Sequence, residues 1–204
     1  MPATNTWLPQ IVARDRKGDR TREQLFQAAL AEFRRVGFEQ ASVGQIASRA
    51  GTSRAGFYVH YPCTEAVLLD LQWRLETEMV ERLRRRDSLR EVLEELIDRL
   101  IDIEARLAGG ELLRDMLGVY IRRPAGLALA DQPFPLVVEL ERTFAAARGE
   151  LRAGLDPALA TQLFLAALFG LLISPRGPIA ERRGELNQLA ALFLATPRRA
   201  ARRG

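Results

Sequence analysis

His60 and Cys63 are the only histidine and the only cysteine in a chain of 204 residues, and they stand three positions apart. An imidazole beside a thiol is the raw material of nucleophilic catalysis, but that chemistry also needs a third group to orient the base. No such partner is recognisable from spacing, and no phosphate-binding loop, nucleophile elbow or metal-spaced cluster accompanies the pair. The same stretch offers a different chemistry. Ser42, Ser53, Arg54, Tyr58 and His60 are hydrogen-bonding side chains set close together around Gly51 and Gly56. Hydroxyls, an imidazole and a guanidinium are hydrogen-bonding groups that can hold a partner without reacting with it. The chemistry expected is recognition, with no catalytic residue, no cofactor and no metal, and the chain is not expected to be an enzyme.

Short helices must position these groups. Thr21-x-x-Gln24 reads as a capping box that opens a helix with Leu25, Ala28, Ala29 and Phe33 on one face, and Gly37 ends it. Ser42-x-x-Gln45 reads as a second capping box, opening a helix with Ile46, Ala47 and Ala50. Gly51 follows, then Thr52-Ser53 as caps of a third helix through Phe57 and Tyr58. Two short helices joined by a glycine-containing turn make a helix-turn-helix. In Ala47-x-x-x-Gly51 the small alanine lets the helices cross closely, and the glycine permits the positive φ of a tight turn. So small a wedge leans on the helix before it and on one starting near Glu65.

At this point the chain resembles the tetracycline-repressor (TetR) family of bacterial transcription regulators. The residues that carry the likeness are Phe38-x4-Val43-x2-Ile46-Ala47-x2-Ala50-Gly51-Thr52-Ser53-Arg54-x2-Phe57-Tyr58-x-His60-Tyr61-x3-Glu65-x2-Leu68. The likeness implies a homodimer whose paired recognition helices enter successive major grooves of a near-palindromic double-stranded operator. It implies a repressor that a small-molecule effector, not identified by the sequence, releases from DNA. Within it, Arg54 is placed to take a guanine, and Ser42 a phosphate at its helix N-terminus. Tyr58 and His60 match backbone-contacting positions. Arg22, Val43, Ser53, Ala55, Gly56 and Thr64 complete the candidate DNA surface. Gly56 stands where the family commonly has Thr or Ser, Ala55 where it has Gly or Pro, and Thr64 where it has a phosphate-binding lysine. Cys63 falls at the start of the next helix, where the dipole would favour a thiolate, so a redox role stands beside plain space-filling.

The remainder reads as all-α. Leu68, Leu71, Leu75, Met79 and Leu83 form one stripe, and Leu89, Leu93, Leu96, Leu100, Ile103 and Leu107 another, with Asp87-Ser88 as its cap and Gly109-Gly110 as its end. A helix over about 112–122 is expected to break at Pro124–Gly126, and the next to start at Pro133 and run to about Arg148. Asp156-Pro157 is a strong helix start, and Pro175 a stop. A last helix covers about 180–195, closed by Pro197. The expected domains are a flexible basic tail (1–19), a helix-turn-helix DNA-binding domain (20–65), a helical effector-binding and dimerisation domain (66–197) and a basic tail (198–204). By resemblance, the effector pocket draws on Trp73, Met79, Arg99, Asp115, Met116 and Tyr120. The segment 156–173 is apolar almost all round, which asks for burial on two sides. Leu159, Leu163, Ala166, Ala167 and Gly170 are therefore candidates for a dimer interface, with Leu186, Leu189, Ala190 and Phe193 as a companion stripe.

Charge adds little to that reading. All but one of the 30 cations are arginine, against 26 acids, for a net +4. Residues 1–65 carry an excess of +3 and the last seven residues +4, whereas 66–197 carries −3. The longest apolar run, Leu163–Ile173, is far short of the roughly 18 residues a membrane span needs. With a single cysteine and no signal-like apolar run in Met1–Arg20, a cytoplasmic protein with no membrane partner is expected. The competing reading is a helical protein-interaction module, or a regulator that has lost ordinary operator binding, as Gly56 and Thr64 would allow.

Overall fold

The computed structural model describes residues 16–107, 110–122, 133–174 and 177–195. Among them the fold is all-α, as expected, and the only β-type pairing is an isolated bridge between Leu151 and Leu194. The helices are α1 (Arg16–Val36), α2 (Val43–Arg49), α3 (Arg54–His60), α4 (Thr64–Leu83), α5 (Leu89–Arg106), α6 (Glu111–Arg122), α7 (Pro135–Ala146), α8 (Pro157–Ile173) and α9 (Arg183–Phe193). A 3-10 turn, Ile179–Arg182, precedes α9. The chain divides into two compact units: residues up to Arg74 together with Arg106–Pro133, and Leu75–Ala105 together with the chain from Phe134 onward.

In the first unit α1 packs on α2, and α2 on α3. Leu25, Ala29 and Phe33 of α1, Ile46 and Ala47 of α2, and Phe57 of α3 are all buried. The helix-turn-helix follows from local chemistry. Gly51 takes φ +69°, and two bonds close the end of α2: Thr52 N–H to Ala47 O (2.9 Å) and Gly51 N–H to Ser48 O (3.1 Å). A left-handed glycine with this bond pair is the Schellman ending that satisfies otherwise orphaned carbonyls. Two residues later Ser53 caps α3, its Oγ accepting the Gly56 N–H at 3.0 Å. Glu32, buried on α1, holds Arg35 of its own helix and reaches Arg49 of α2 at 3.6 Å, tying the two helices together.

Several boundaries differ from expectation. The segment through residue 19 is not all tail, because α1 already runs from Arg16, and Thr21 lies inside the helix rather than at its cap. A capping box marks a start only where the chain before it cannot continue the helix. Here Arg16–Arg20 already continue the helix in spite of Gly18, and Asp19 meets the positive end of the dipole. Ser42 occupies the N-cap of α2, but its side chain makes no capping bond. Pro135, not Pro133, takes the first position of α7. Pro124–Gly126, Gly109, Pro175, Pro197 and the C-terminal tail lie outside the described residues.

In the second unit α8 begins as expected, with Asp156 Oδ1 accepting the N–H groups of Ala158 and Leu159 at 3.0 and 3.1 Å. Ser88 and Glu91 cap α5 reciprocally, Glu91 N–H donating to Ser88 Oγ (3.2 Å) and Ser88 N–H to Glu91 Oε2 (3.3 Å), which also accepts from Asp87 N–H (3.0 Å). Helix starts are also satisfied from far away, that of α5 among them. Glu150 accepts the Leu89 N–H, Glu76 the Leu136 N–H, and Glu104 the Ile179 N–H. Phe144, Phe164 and Phe193 form an aromatic cluster, with centroids 5.5 to 6.3 Å apart, where α7, α8 and α9 meet.

Candidate nucleic-acid interface

The orientation of α3 is set by what it buries. Phe57 is fully buried, and Tyr61, just past the helix end, is 1% exposed, with the rings 5.9 Å apart. Ser53, Arg54, Ala55, Tyr58 and Val59 are thereby left at the surface. Tyr58 packs edge-on against Phe57 at 5.5 Å, which steadies the ring while it stays exposed. Ser42, at the start of α2, is also exposed, and Val43 beside it is half-buried. These six expected residues, from Ser42 to Tyr58, thus reach the surface of one small unit.

Other expected contacts are placed differently. Arg22 is a buried tie, not a surface cation: its side chain is 11% exposed. It donates to the His60 carbonyl at 2.9 Å and to Asp70 at 2.7 Å, and its guanidinium lies 4.2 Å from the centroid of the Tyr61 ring. Tyr61 in turn donates to Asp70 at 2.6 Å, and Arg74 bridges Asp70 (3.1 Å) and Glu23 (2.7 Å). Burial first, then the Asp70 charge and hydrogen bond, push the Tyr61 hydroxyl far above its ordinary value, so it is a permanent donor. The network joins α1, the end of α3 and the first half of α4. A charged arginine near a helix start gives no hint that its partner lies 48 residues on.

His60 is half-buried, and its carbonyl is held by Arg22. Thr64 is half-buried at the first position of α4, with its hydroxyl donating to Glu65 at 3.3 Å. Burial pushes the Cys63 thiol up, assisted by Glu65 and outweighing backbone N–H bonds from Ala66 and Glu65, so the expected dipole-stabilised thiolate is not supported. Gly56 has a steric reason. A Cβ there would overlap Thr52 Oγ1, so the volume that a side chain at position 56 would fill is already taken by Thr52. Thr52 and Val59 were not foreseen as surface features, and neither were Asp70 and Arg74 as positioning residues.

The expected effector residues divide between the two units. Trp73, Asp115, Met116 and Tyr120 belong to the first, Met79 and Arg99 to the second. Met79, Met116 and Tyr120 are buried, and Trp73 is half-buried. Burial and the charges of Glu39 and Glu111 raise the Asp115 carboxyl. Arg99 is engaged on its own helix, by Glu95 (3.0 Å) and Asp102 (2.8 Å).

The apolar helix α8 presents two different faces. Phe164, Leu165, Leu168 and Leu172 are buried, whereas Leu159 (50% exposed), Leu163 (49%), Ala166, Gly170 and Ile173 lie uncovered at helical spacing. Ala167 is half-buried at the edge of that row. The companion stripe on α9 is corrected: Leu186, Leu189, Ala190 and Phe193 are buried in their own unit, and Leu192, at 55% exposed, is the large apolar residue on the outer side. A stripe at helical spacing reports that a face is buried, not against which subunit. No described helix is long and apolar enough to cross a membrane.

Comparison with known proteins adds the following. Residues 25–71 match the family model described as bacterial regulatory proteins, tetR family. Among solved structures, the chain is similar to FadR of Thermus thermophilus, a TetR-family transcriptional repressor in complex with lauroyl-CoA. The TM-score is 0.63 at 25% identity, covering 83% of this chain and 93% of that one. It is also similar to SmeT, the repressor of the Stenotrophomonas maltophilia multidrug efflux pump SmeDEF, with TM-score 0.56 and 26% identity over 85% and 90% of the two chains. NalD of Pseudomonas aeruginosa, the secondary repressor of the MexAB-OprM pump, has TM-score 0.55 and 20% identity, covering 88% and 98%. A comparison with curated proteins finds no match.

Proposed function

We propose that this chain, whose residues 25–71 match the tetR-family model and whose fold is that of TetR-family repressors, is a TetR-family regulator that acts as a homodimeric repressor and binds a near-palindromic operator through α2 and α3. The observation that carries this reading is the division of α3. Phe57 and the adjoining Tyr61 are committed to the core, leaving Arg54, Ala55 and Tyr58 for a partner. Arg54, in the first turn, takes a guanine edge through its two-pronged guanidinium. Ser42, whose hydroxyl is not used in capping, takes a phosphate, joined by Ser53, Tyr58 and the side chain of His60. Val43, Gly56 and Thr64 line the approach without charge. With no cation at position 64, each half-site has one phosphate contact fewer than the family pattern, which lowers the salt dependence of binding.

Two subunits meet through the uncovered row of α8 and the outer side of α9 at Leu192. Leu159 and Leu163, each half-exposed and one turn apart, support this reading, since an apolar row of this kind is a docking surface more often than a solvated one. The effector is a small molecule received near Trp73, Asp115, Met116 and Tyr120, which all belong to the first unit. Relatives of similar structure hold lauroyl-CoA (T. thermophilus FadR) and triclosan (SmeT), both with large apolar parts. Ligand favours a state whose recognition helices no longer match the half-site spacing, and so shifts the population off DNA. Arg99 is set aside as an anchor, because Glu95 and Asp102 already neutralise it.

Genome-wide capture of bound DNA tests the proposal, followed by a shift assay on the recovered site. A single palindromic site retained by the full chain and lost by Arg54→Ala is the expected result. Failure to retain any genomic DNA would defeat it.

A further inference from the structure

We propose that Val59, together with Ala55, reads the C5 methyl groups of thymine, so that the operator half-site must carry thymine at the position facing Val59. The inference rests on the DNA-reading role of α3 and deepens it by naming a base.

Val59 is 66% exposed, more than any other large apolar residue named as exposed in the described chain. Nothing in the fold asks for it there. The core needs of α3 are met by Phe57 and the adjoining Tyr61, and a β-branched residue gains no helix propensity over an alanine or a lysine. Its position on the helix is informative. Residues 55 and 59 each stand two positions from Phe57, which at about 100° per residue puts both opposite the buried side. They are also four apart, hence on one row. Arg54 and Tyr58 form the neighbouring row, likewise four apart. The outward surface of α3 is therefore a polar row beside an apolar one.

An apolar row cannot bind a phosphate and cannot pair with a base-edge donor or acceptor. The major groove displays one apolar group, the thymine C5 methyl, which apolar groups such as alanine, the threonine methyl and phenylalanine contact. The row is continuous with the surface through which the family's helix-turn-helix reads DNA, which makes a base edge, rather than a protein partner, the occupant.

The test uses the full-length chain and duplexes carrying the captured operator. Each thymine of the half-site is replaced in turn by deoxyuridine, which lacks only the methyl group. Wild-type protein should lose about fourfold in affinity at the thymine facing Val59, and about fifteenfold when both half-sites are changed, the loss expected for one buried methyl per subunit. Val59→Ala should bind the natural duplex less tightly and discriminate thymine from uracil at that position by less than twofold. Its thermal midpoint should stay unchanged, since the side chain is exposed. Wild-type binding that ignores uracil at every position, or an operator without thymine in its half-site, would overturn the inference while leaving operator binding intact. A full-length chain that captures no DNA would overturn operator binding itself, and this inference with it.

Discussion

Replacing Arg22 by methionine separates two opposed accounts of that residue. As a phosphate contact, it would sit at the surface and its loss would leave the fold alone. In the structure it is 11% exposed and Asp70 is 12% exposed, with 2.7 Å between the charged groups. Methionine keeps much of the volume but removes the donors to Asp70 and to the His60 carbonyl. Breaking one side of a buried pair costs about 3–5 kcal/mol, because the other charge is left uncompensated. Asp70 keeps Tyr61 and the more exposed Arg74, so the lower end, about 3 kcal/mol, applies. For a chain of this size, that corresponds to a fall in thermal midpoint of roughly 6–12 °C. Circular dichroism melts give the midpoint, and operator titrations at several salt concentrations give the number of phosphate contacts. A further change, Arg22→Met with Asp70→Asn, should recover part of the loss, because no carboxylate is then stranded while the amide oxygen still accepts from Tyr61. A midpoint within 2 °C of wild type, together with a salt slope reduced by about one per half-site, would refute the buried-tie account and restore the phosphate contact.

Arg54→Ala should reduce operator affinity about 10- to 100-fold, the discrimination of one bidentate contact, with an unchanged melt; affinity by fluorescence anisotropy checks it. Leu163→Glu places like charges across the proposed α8 interface, which costs several kcal/mol, so light scattering at micromolar concentration should give a monomer mass where wild type gives a dimer. Gly56→Ala gains up to about 1 kcal/mol of helix propensity but overlaps Thr52 Oγ1; the overlap should win, lowering the melting midpoint, and Thr52→Ala added to it should restore the midpoint. Glu139 offers a pH test. Burial alone would raise its carboxyl, but hydrogen bonds from Arg142 and Arg84 hold it below the usual 4.5. Its contribution to stability is therefore complete well above 4.5 and is lost as pH falls below 4.5 and through the lower value of the folded state. Urea midpoints at pH 7 and pH 4 should differ more for wild type than for Glu139→Gln.

What could be read in the chain beforehand was what lies within a few residues of its cause. Gly51 followed by Ser53 announces a turn and a cap, and Asp156-Pro157 a helix start, because donor and acceptor are neighbours. Arg54 and Tyr58 reach the surface because Phe57, on the same short helix, is buried. Such local logic failed wherever the partner is distant. Arg22 reads as part of the DNA surface because Asp70 and the His60 carbonyl, which hold it, are remote in sequence. The stripe Leu186, Leu189, Ala190 and Phe193 was correctly apolar, but periodicity does not say which core a face joins. Thr21 misled because a capping pattern also occurs inside helices. Val59 went unremarked because a valine carries no hydrogen bond to look for; only its exposure sets it apart.

The three carboxylates that start other segments' helices have a consequence for how the second unit holds together. Glu150 serves Leu89, Glu76 serves Leu136 and Glu104 serves Ile179, across 61, 60 and 75 residues. Each of those helix beginnings is complete only when a distant part of the chain is already in place. The unit should consequently lack a stable half: peeling away the turn at Ile179 strands a buried Glu104, and loss of the Glu150 loop frees the first amide of α5. Its amides should exchange with solvent as one block rather than helix by helix. Variation in this family of folds that swaps a single helix of this unit would have to carry its remote carboxylate along with it.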